Sequence, residues 1–534
     1  MNSIHNYQPD KSGELFDGAS AQPDMEYMQI PLADKTVNTE VSGDFSLPDY
    51  QPEIKRLLKI GATVHPPTHY TGADEVEING GLDYFVFYVG SDGGLYCAPL
   101  NTDYRFNVPL NDDAGMDGVT PTLCLCQSTA ESTVGRVTAP RRLNIRCRLR
   151  SRVQVLGERT AGVANMALDP NSTEALHATE PVCRMWEAES QPLVLQDDII
   201  PDMHGGGVRV VCSEGQVMVT DAAAGMGVVN CRGEITLKLT MCPTEPDADG
   251  QMLPFVLSRK IPFSEAVEMP GVTPDCHGCA TGVCSDISAQ IEEGHIHVET
   301  ALRLRAMAQK NQSVAYVKDL YSTRKSCSCQ YVQLPIHHAV RSVMGNFTQS
   351  ESMPLAEAGI PPVTRILDIG GVAYPEEVTV HAKEGRCVLV GTCHYQLLFL
   401  RDGEYAVSEL DLPFRYEIEA TADEGAAFCG NVAVMTCRSR MDGERIGIDA
   451  ELAVNGRIYQ PDTLTILSDV TPGDPLSRPC GEYVICFPSS DDSLWSVAKR
   501  YHAPLSVLSA ANSIAPGAAI DAPESIAGNH YLIV

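Results

Sequence analysis

Three stretches of the chain alternate apolar and polar residues with a period of two. This pattern is typical of β-strands that have one buried face and one solvated face. The predicted buried positions are Leu143, Ile145, Cys147, Leu149, Ile296, Val298, Thr300, Leu302, Leu304, Ile446, Ile448, Ala450 and Leu452. Polar residues such as Arg146, Glu299 and Asp449 stand between them. These stretches predict strands of one recurring kind.

A repeat of about 150 residues relates the three strands. Residues 51–61 (QPEIKRLLKIG) align with residues 360–370 (IPPVTRILDIG), and Pro, Arg, Leu, Ile and Gly match in place. Each copy then has a glycine that opens an alternating strand and, further on, a phenylalanine. These are Gly81, Gly233 and Gly391, and Phe106, Phe263 and Phe414. The middle copy is the most divergent, because it has no clear counterpart of the Arg56 and Arg365 segments.

A period of this length corresponds to a whole domain. We therefore expect a mainly β fold with three tandem β-sandwich-like repeats followed by a small C-terminal module. The predicted boundaries are a flexible N-terminal tail at 1–29, repeats at 30–178, 179–335 and 336–470, a linker at 471–479 that is rich in Pro, Gly and Asp, and the module at 480–534.

The C-terminal residues change from a strand pattern to a helix pattern. Residues 483–486 predict a short strand, and Asp491, Asp492 and Ser493 supply a helix cap. Apolar residues then follow at helical spacing, which predicts one apolar stripe; they are Leu494, Val497, Ala498 and Tyr501. A second helix is predicted at 504–511 and a second strand at 531–534. The module is therefore expected to be βααβ.

Charge narrows the range of partners. The chain has 39 Lys and Arg against 69 Asp and Glu, a net charge of -30. Such a chain is repelled by nucleic acids and by anionic membranes. The sequence has no apolar run of about 18 residues and no basic, apolar start, so we expect no membrane insertion, no export signal and a cytoplasmic location. In that setting the 19 cysteines are expected to be free thiols.

Candidate catalytic or metal-binding chemistry is sparse. Cys276 and Cys279, with Cys284 five residues on, form a C-x-x-C pair in a Gly-rich segment, but one pair does not supply the four ligands of a zinc site. These cysteines are weak metal candidates, and no metal or other cofactor is expected. The histidine pairs 295/297 and 337/338 are expected on solvated surfaces. Since no catalytic motif is present, the protein is not expected to be an enzyme.

The C-terminal residues resemble a LysM domain. The matching elements are Tyr483-x-Ile485, residues 492–501 (DSLWSVAKRY) and Leu508-x-x-x-Asn512. In LysM domains that bind glycan, the loops here hold N-acetylglucosamine, so the resemblance gives Asp492, Ser493, Leu494 and Asn512 as glycan-type positions.

Three β repeats followed by this module make the whole chain similar to the SPOCS-domain plus LysM family. The resemblance implies a spore-forming bacterium and a protein of the mother-cell cytoplasm at the forespore surface, without known catalysis. It implies a morphogenetic adaptor that docks through LysM on a stage IV sporulation protein A-like coat ATPase and also meets other coat proteins. Binding of peptidoglycan through LysM is the alternative, and tandem repeats also permit self-association.

The sharpest site hypothesis concerns Trp495, Lys499 and Arg500. A large aromatic at the Trp495 position either packs beside the module core or is exposed. An exposed Trp beside two basic residues would form an anchor for an acidic partner. We therefore predict that these three residues contribute to the partner-binding surface.

Overall fold

The structure, a computed structural model, is mainly β. It describes residues 27–72, 74–110, 119–163, 168–200, 207–245, 252–292, 294–362, 365–381, 384–477, 484–514 and 519–534. Strands account for 75% of the structure and helices for 5%. The predicted fold class is therefore confirmed.

In the described part of the chain, twenty strands form three repeats. Repeat 1 consists of β1 (Tyr27–Ser46), β2 (Ile54–Val64), β3 (Thr68–Thr71), β4 (Glu75–Gly90), β5 (Leu95–Pro109), β6 (Pro121–Ala139) and β7 (Arg142–Thr160). Repeat 2 consists of β8 (Thr173–Glu189), β9 (Leu193–Ile199), β10 (Val208–Ala224), β11 (Val228–Pro243), β12 (Phe255–Glu268), β13 (His277–Glu292) and β14 (His295–Ser322). Repeat 3 consists of β15 (Lys325–Pro354), β16 (Arg365–His381), β17 (Arg386–Arg401), β18 (Glu404–Glu419), β19 (Ala427–Asp442) and β20 (Arg445–Pro475).

Each repeat has the same two antiparallel sheets. A terminal sheet joins the first strand to the last two, in the orders β1-β7-β6, β8-β14-β13 and β15-β20-β19. A central sheet holds the strands between them, in the orders β2-β4-β5, β10-β11-β12 and β16-β17-β18. Two short strands add to this plan, since β3 pairs with β4 and β9 pairs with β14. The internal sequence repeat is therefore also a repeat of topology.

The two sheets of each repeat enclose an apolar core. Every position predicted to be buried from the period-two pattern is buried, and Leu143, Ile296 and Leu452 are fully so. These residues lie on the strand at the centre of each terminal sheet, where a neighbour on both sides satisfies the backbone. The alternation in the sequence thus correctly identified the core face of β7, β14 and β20.

The repeat boundaries require correction. The predicted boundaries after residues 178 and 335 lie inside β8 and β15. β20 also continues to Pro475, into the predicted linker 471–479, and β1 begins at Tyr27 within the predicted tail. In these stretches the side chains contact other repeats as well as the core of their own repeat. The alternation of apolar and polar residues therefore ends before the strand ends, and it does not show the strand's full length. The predicted tail up to residue 26 and residues 478–483 lie outside the described residues.

The three repeats contact one another in a closed cycle. β5 of repeat 1 contacts β10 of repeat 2, β12 contacts β16 of repeat 3, and β18 contacts β2 of repeat 1. The first strands β1, β8 and β15 also contact one another, and one apolar cluster takes Ile30, Val182 and Leu334 from all three repeats. Because each repeat buries surface against both others, the three form one body.

A buried charge network joins the repeats. The Lys59 ammonium lies 2.9 Å from one carboxylate oxygen of Asp368, and that of Lys238 lies 2.6 Å from the other. Lys59 is in β2 of repeat 1, Lys238 in β11 of repeat 2 and Asp368 in β16 of repeat 3. Glu214 of β10 lies 3.9 Å from Lys238. Each repeat therefore contributes at least one charge to this network.

Electrostatic attraction outweighs desolvation in this network. Burial alone would lower the pKa of Lys59, but the nearby Asp368 and Glu214 raise it above its ordinary value. Burial would also raise the pKa of Asp368, but the two lysines hold it far below its ordinary value. Lys59 and Asp368 are therefore both charged at neutral pH, and removal of the Asp368 carboxylate leaves the buried Lys59 ammonium without its paired charge.

A second polar network links repeats 1 and 3. Arg457 is fully buried, donates a hydrogen bond to Gln154 and lies 4.5 Å from the centre of the Tyr459 ring. The Tyr459 hydroxyl donates to Asp34 at 2.6 Å, and His337 packs 4.5 Å from the same ring. The expectation of a solvated surface is therefore wrong for His337, which is 5% exposed. The exposed position expected for His297 is confirmed, and this side chain pairs with Asp198.

We expect Asp368→Asn to destabilise the protein by about 3–5 kcal/mol, because it leaves the buried Lys59 without its paired charge and removes the nearest carboxylate of Lys238. Urea unfolding at neutral pH measures this loss. The double variant Lys59→Met/Asp368→Leu removes one complete pair and should recover part of the stability. If the double variant were less stable than the wild type by the full sum of the losses in Lys59→Met and Asp368→Leu, the two residues would not be coupled.

His337 should make the protein sensitive to mild acid. Burial, followed by the nearby Arg457, lowers its pKa from 6.5 to about 4. The folded state therefore binds this proton less tightly than the unfolded chain, so the contribution to stability is complete above pH 6.5 and falls as the pH drops towards 4. The expected loss is about 3 kcal/mol. In unfolding experiments across this range, His337→Phe should reduce the loss and His297→Phe should not.

Candidate functional site: the C-terminal module

The C-terminal module is built around two short helices and a two-stranded sheet. It consists of β21 (Ile485–Cys486), α1 (Leu494–Tyr501), α2 (Leu505–Ala511), a 3-10 turn (Pro523–Ile526) and β22 (Leu532–Ile533). The predicted βααβ order is therefore confirmed, with the turn added. Leu494, Val497, Ala498 and Leu508 are buried in one cluster with Cys486 and Leu532.

Local side-chain chemistry sets the limits of α1. The Ser493 hydroxyl accepts from the Ser496 N–H, and the Ser496 hydroxyl accepts from the Ser493 N–H, which forms a capping box. At the other end His502 adopts the left-handed conformation with φ of 53°, which stops the helix. The predicted helix start at Ser493 is confirmed.

The glycan-type loop positions serve the module's own structure. Asp492 accepts hydrogen bonds from the Ser489 N–H at 3.0 Å and from the Arg500 guanidinium, which lowers the Asp492 pKa to about 2. Leu494 is buried, and its N–H donates to the Ser525 hydroxyl at 2.9 Å. Ser493 caps α1. The contacts of Asp492, Ser493 and Leu494 therefore fix the conformation of the loop that precedes α1.

Asn512 connects α2 to the last strand. Its amide group donates to the carbonyls of Leu508 and Ile533, both at 2.8 Å, and its carbonyl accepts from the Ile533 N–H at 2.7 Å. One side chain thus satisfies backbone groups at a helix end and on a strand. The structure gives Asn512 an architectural role.

Trp495 and Lys499 face repeat 2. The Trp495 indole N–H donates to one carboxylate oxygen of Asp319 at 2.8 Å, and the Lys499 ammonium lies 2.6 Å from the other. The Trp495 ring also meets the ring of Tyr321 edge-on, with centroids 5.1 Å apart. Trp495 is 5% exposed. The alternative in which this side chain is an exposed anchor is therefore wrong, and the alternative in which it packs beside the core of the module is correct.

Arg500 also has an intramolecular partner, because its guanidinium pairs with Asp492 of the same module. The acidic group that Trp495 and Lys499 contact therefore belongs to this chain, and Arg500 supports the loop before α1. A role of these three residues in binding a separate partner stays a prediction.

Further contacts fix the module to the end of β14. The Tyr321 hydroxyl donates to the Ala503 carbonyl at 2.7 Å, and Lys318 pairs with Asp521 at 2.8 Å. His502 Nδ1 lies 2.8 Å from the Ser322 carbonyl. The face of the module that carries α1 is thereby covered by repeat 2.

An apolar patch that was not predicted from the sequence lies on the opposite side of the two-stranded sheet. Ile485, Phe487 and Tyr531 are 58%, 76% and 53% exposed, and with Ile533 they line a shallow depression of about 600 Å³. Cys486 and Leu532 point the other way, into the core. Both faces of these short strands are therefore apolar. The sequence contains an indication of this patch in the uninterrupted apolar runs Val484–Phe487 and Tyr531–Val534. A two-stranded sheet with one core face needs apolar residues at only every second position, so the additional apolar residues indicate a second apolar face.

The weak metal candidates do not converge. Cys279 and Cys284 lie in the strand β13 instead of in a loop, and they are five residues apart, so they point to opposite faces. Cys276 and Cys284 belong to the core of repeat 2, whereas Cys279 packs in a separate cluster with Met307. Burial raises the pKa of Cys279 and Cys284 to about 12, which keeps them protonated. Among the described residues no group of three or more His, Cys, Asp or Glu could hold a metal ion.

Within the described residues, no helix combines the length and the apolar character that are needed to cross a lipid bilayer.

Part of repeat 2 matches a known protein family. The family described as SipL, SPOCS domain, matches residues 208–292. The match begins at the first residue of β10 and ends at the last residue of β13, so it spans the central sheet of repeat 2 and one strand of its terminal sheet. This is the copy that differs most from the other two. No curated protein and no solved structure matches the chain. The predicted resemblance to the SPOCS-domain family is therefore confirmed for residues 208–292, and this similarity indicates a role related to sporulation.

Proposed function

We propose that the protein is a non-enzymatic morphogenetic adaptor of the spore coat. In this proposal the C-terminal module is a LysM-type domain that docks on a stage IV sporulation protein A-like coat ATPase, in the mother-cell cytoplasm at the forespore surface. The observation that carries the proposal is the apolar patch of Ile485, Phe487, Tyr531 and Ile533.

The patch has the composition of a protein-binding surface. Its four large apolar side chains are contiguous, and two are aromatic, the type that supplies the most binding energy in protein interfaces. The backbone pairing of Ile485 with Ile533 and of Val484 with Val534 holds the side chains in place. A partner that covers the patch would therefore bind a preformed surface, and little ordering would oppose the association.

The position of the module favours an adaptor. Its other face is bound to repeat 2 through Asp319 and Tyr321, while the apolar patch lies on the solvated side. A partner bound at the patch would thereby be connected rigidly to the three repeats. The repeats would then present other coat proteins, or further copies of the chain, to that partner.

Binding of peptidoglycan is the alternative function. Sugar recognition requires polar side chains that can reach the hydroxyl and acetamido groups of the ligand. Hydrogen bonds within the module instead occupy the side chains of Asp492, Ser493 and Asn512. This internal use favours a protein partner over a glycan.

We expect the full-length Phe487→Ser/Tyr531→Ser variant to lose most of its capture of the purified coat ATPase. Removal of two aromatic anchors should weaken binding by a factor of about 100 or more. Stability should change little, because both side chains are exposed. Val507→Ser is the control, since Val507 is 60% exposed on α2 and does not line the patch, and this variant should bind as the wild type does.

The same pull-down should include insoluble peptidoglycan and the variant Trp495→Ala. Retention on peptidoglycan without capture of the ATPase would replace the adaptor with the glycan-binding function. If Trp495→Ala failed to capture the ATPase while Phe487→Ser/Tyr531→Ser captured it normally, the partner surface would lie on α1 and not on the apolar patch.

A further inference from the structure

Repeat 1 carries a basic surface that is unusual in a chain with a net charge of -30. The solvated face of its terminal sheet exposes four arginines, which we name the arginine face; they are Arg136 of β6 and Arg142, Arg146 and Arg148 of β7. None of the four has an ion-pair partner among the described residues. The acidic residues on the same face are Glu40 and Asp44 of β1.

Strand geometry aligns the arginines. Arg142, Arg146 and Arg148 stand at even positions of β7, and Val134 and Arg136 of β6 face Arg146 and Asn144 in register. Alternate residues of a strand are about 7 Å apart. The side chains therefore form a row parallel to β7. A groove of about 560 Å³ lies along the row, and the side chains that line it include those of Val134, Arg136 and Arg146, with Asp44 of β1 at its edge.

The fold does not require these charges. The last strands β7, β14 and β20 are each separated from the preceding strand by two residues, and their positions can be aligned by counting from there. Arg146 then corresponds to Glu299 in repeat 2 and to Asp449 in repeat 3. Arg148 likewise corresponds to Ala301 and Glu451. The same architecture forms with acidic or neutral residues at these two positions, whereas Arg136 and Arg142 correspond to Arg440 and Arg445 of repeat 3. The positive charges particular to repeat 1 are therefore those of Arg146 and Arg148.

The arginine face is distinct from the seam between repeats 1 and 3. Further along the same face of β7, Arg150 pairs with Glu131 and Arg152 with Asp34, next to a cleft of about 740 Å³ at the seam. Those two arginines are neutralised within the fold. The unpaired row ends at Arg148.

We propose that the arginine face binds an acidic polypeptide segment that lies extended along β7. Guanidinium groups bind carboxylates through paired hydrogen bonds, and an extended peptide presents alternate side chains at the same spacing as the arginines. The exposed Val134 adds an aliphatic contact at the centre of the groove. The row from Arg142 to Arg148 is about 20 Å long, so an extended segment of about seven residues covers it.

Two observations favour a peptide over a nucleic acid. Strands β1, β6 and β7 place no aromatic side chain on this face within their described residues, whereas proteins that bind single-stranded nucleic acid stack bases on aromatic rings. The strongly negative chain would also repel a long polyanion beyond the arginine face. A short segment avoids most of that repulsion.

The experiment measures binding of the full-length protein to a fluorescent peptide of alternating Glu and Ser, about ten residues long. The peptide should bind at low salt, and its affinity should fall as salt increases. Arg146→Glu/Arg148→Glu should weaken binding by a factor of about ten or more, since two attractive contacts become repulsive. The pair Arg232→Glu/Arg303→Glu is the matched control, because it makes the same charge change at exposed positions on β11 and β14.

Each outcome decides the proposal. Normal binding of the peptide by the control variant supports a site at the arginine face. Equal weakening in both variants would show that binding depends only on the overall charge of the protein, which would contradict the proposal. A peptide with Gln in place of Glu should not bind; equal affinity for it would overturn recognition of carboxylates. Tighter binding of a single-stranded oligonucleotide of the same charge would assign the face to nucleic acid.

Discussion

The contact between the three repeats centres on the Asp368 carboxylate, which lies between the ammonium groups of Lys59 and Lys238. Lys59 and Asp368 occupy equivalent positions in repeats 1 and 3, and each follows a register irregularity at the start of its central sheet. Identical residues at these positions would bring like charges together in a dry environment. Divergence between the copies has placed opposite charges there instead, and this favours one order of repeats around the cycle.

The rest of the structure follows from that closed arrangement. Because the first strands of all three repeats share an apolar cluster, their ends extend beyond the individual sandwiches and form a common body. The last part of β14, the closing strand of repeat 2, contributes Val314 to the same cluster and presents Asp319 and Tyr321 to the C-terminal module. The module is thus held by the repeats, and its remaining apolar patch faces solvent.

Two exposed surfaces of different chemistry result. The patch on the module is apolar and preformed, whereas the arginine face of repeat 1 is basic in an acidic protein. An apolar surface gains affinity from desolvation, and a charged surface gains mainly specificity and rate of association. A protein that joins several components of an assembly requires such separate surfaces, because partners of different chemistry then do not compete.

The sequence by itself determined the features that depend on neighbouring residues. The alternation of Leu143 to Leu149 gave the core face of β7, and the serines at 493 and 496 gave the start of α1. Tertiary structure alone decided the burial of Trp495 against Asp319, the burial of His337 and the pairing of Lys59 with Asp368. Strand period and helix capping act over a few residues, so they can be read locally. A buried charge or aromatic ring is stable only beside a partner that lies far along the chain, and only the packing of the repeats brings that partner into contact.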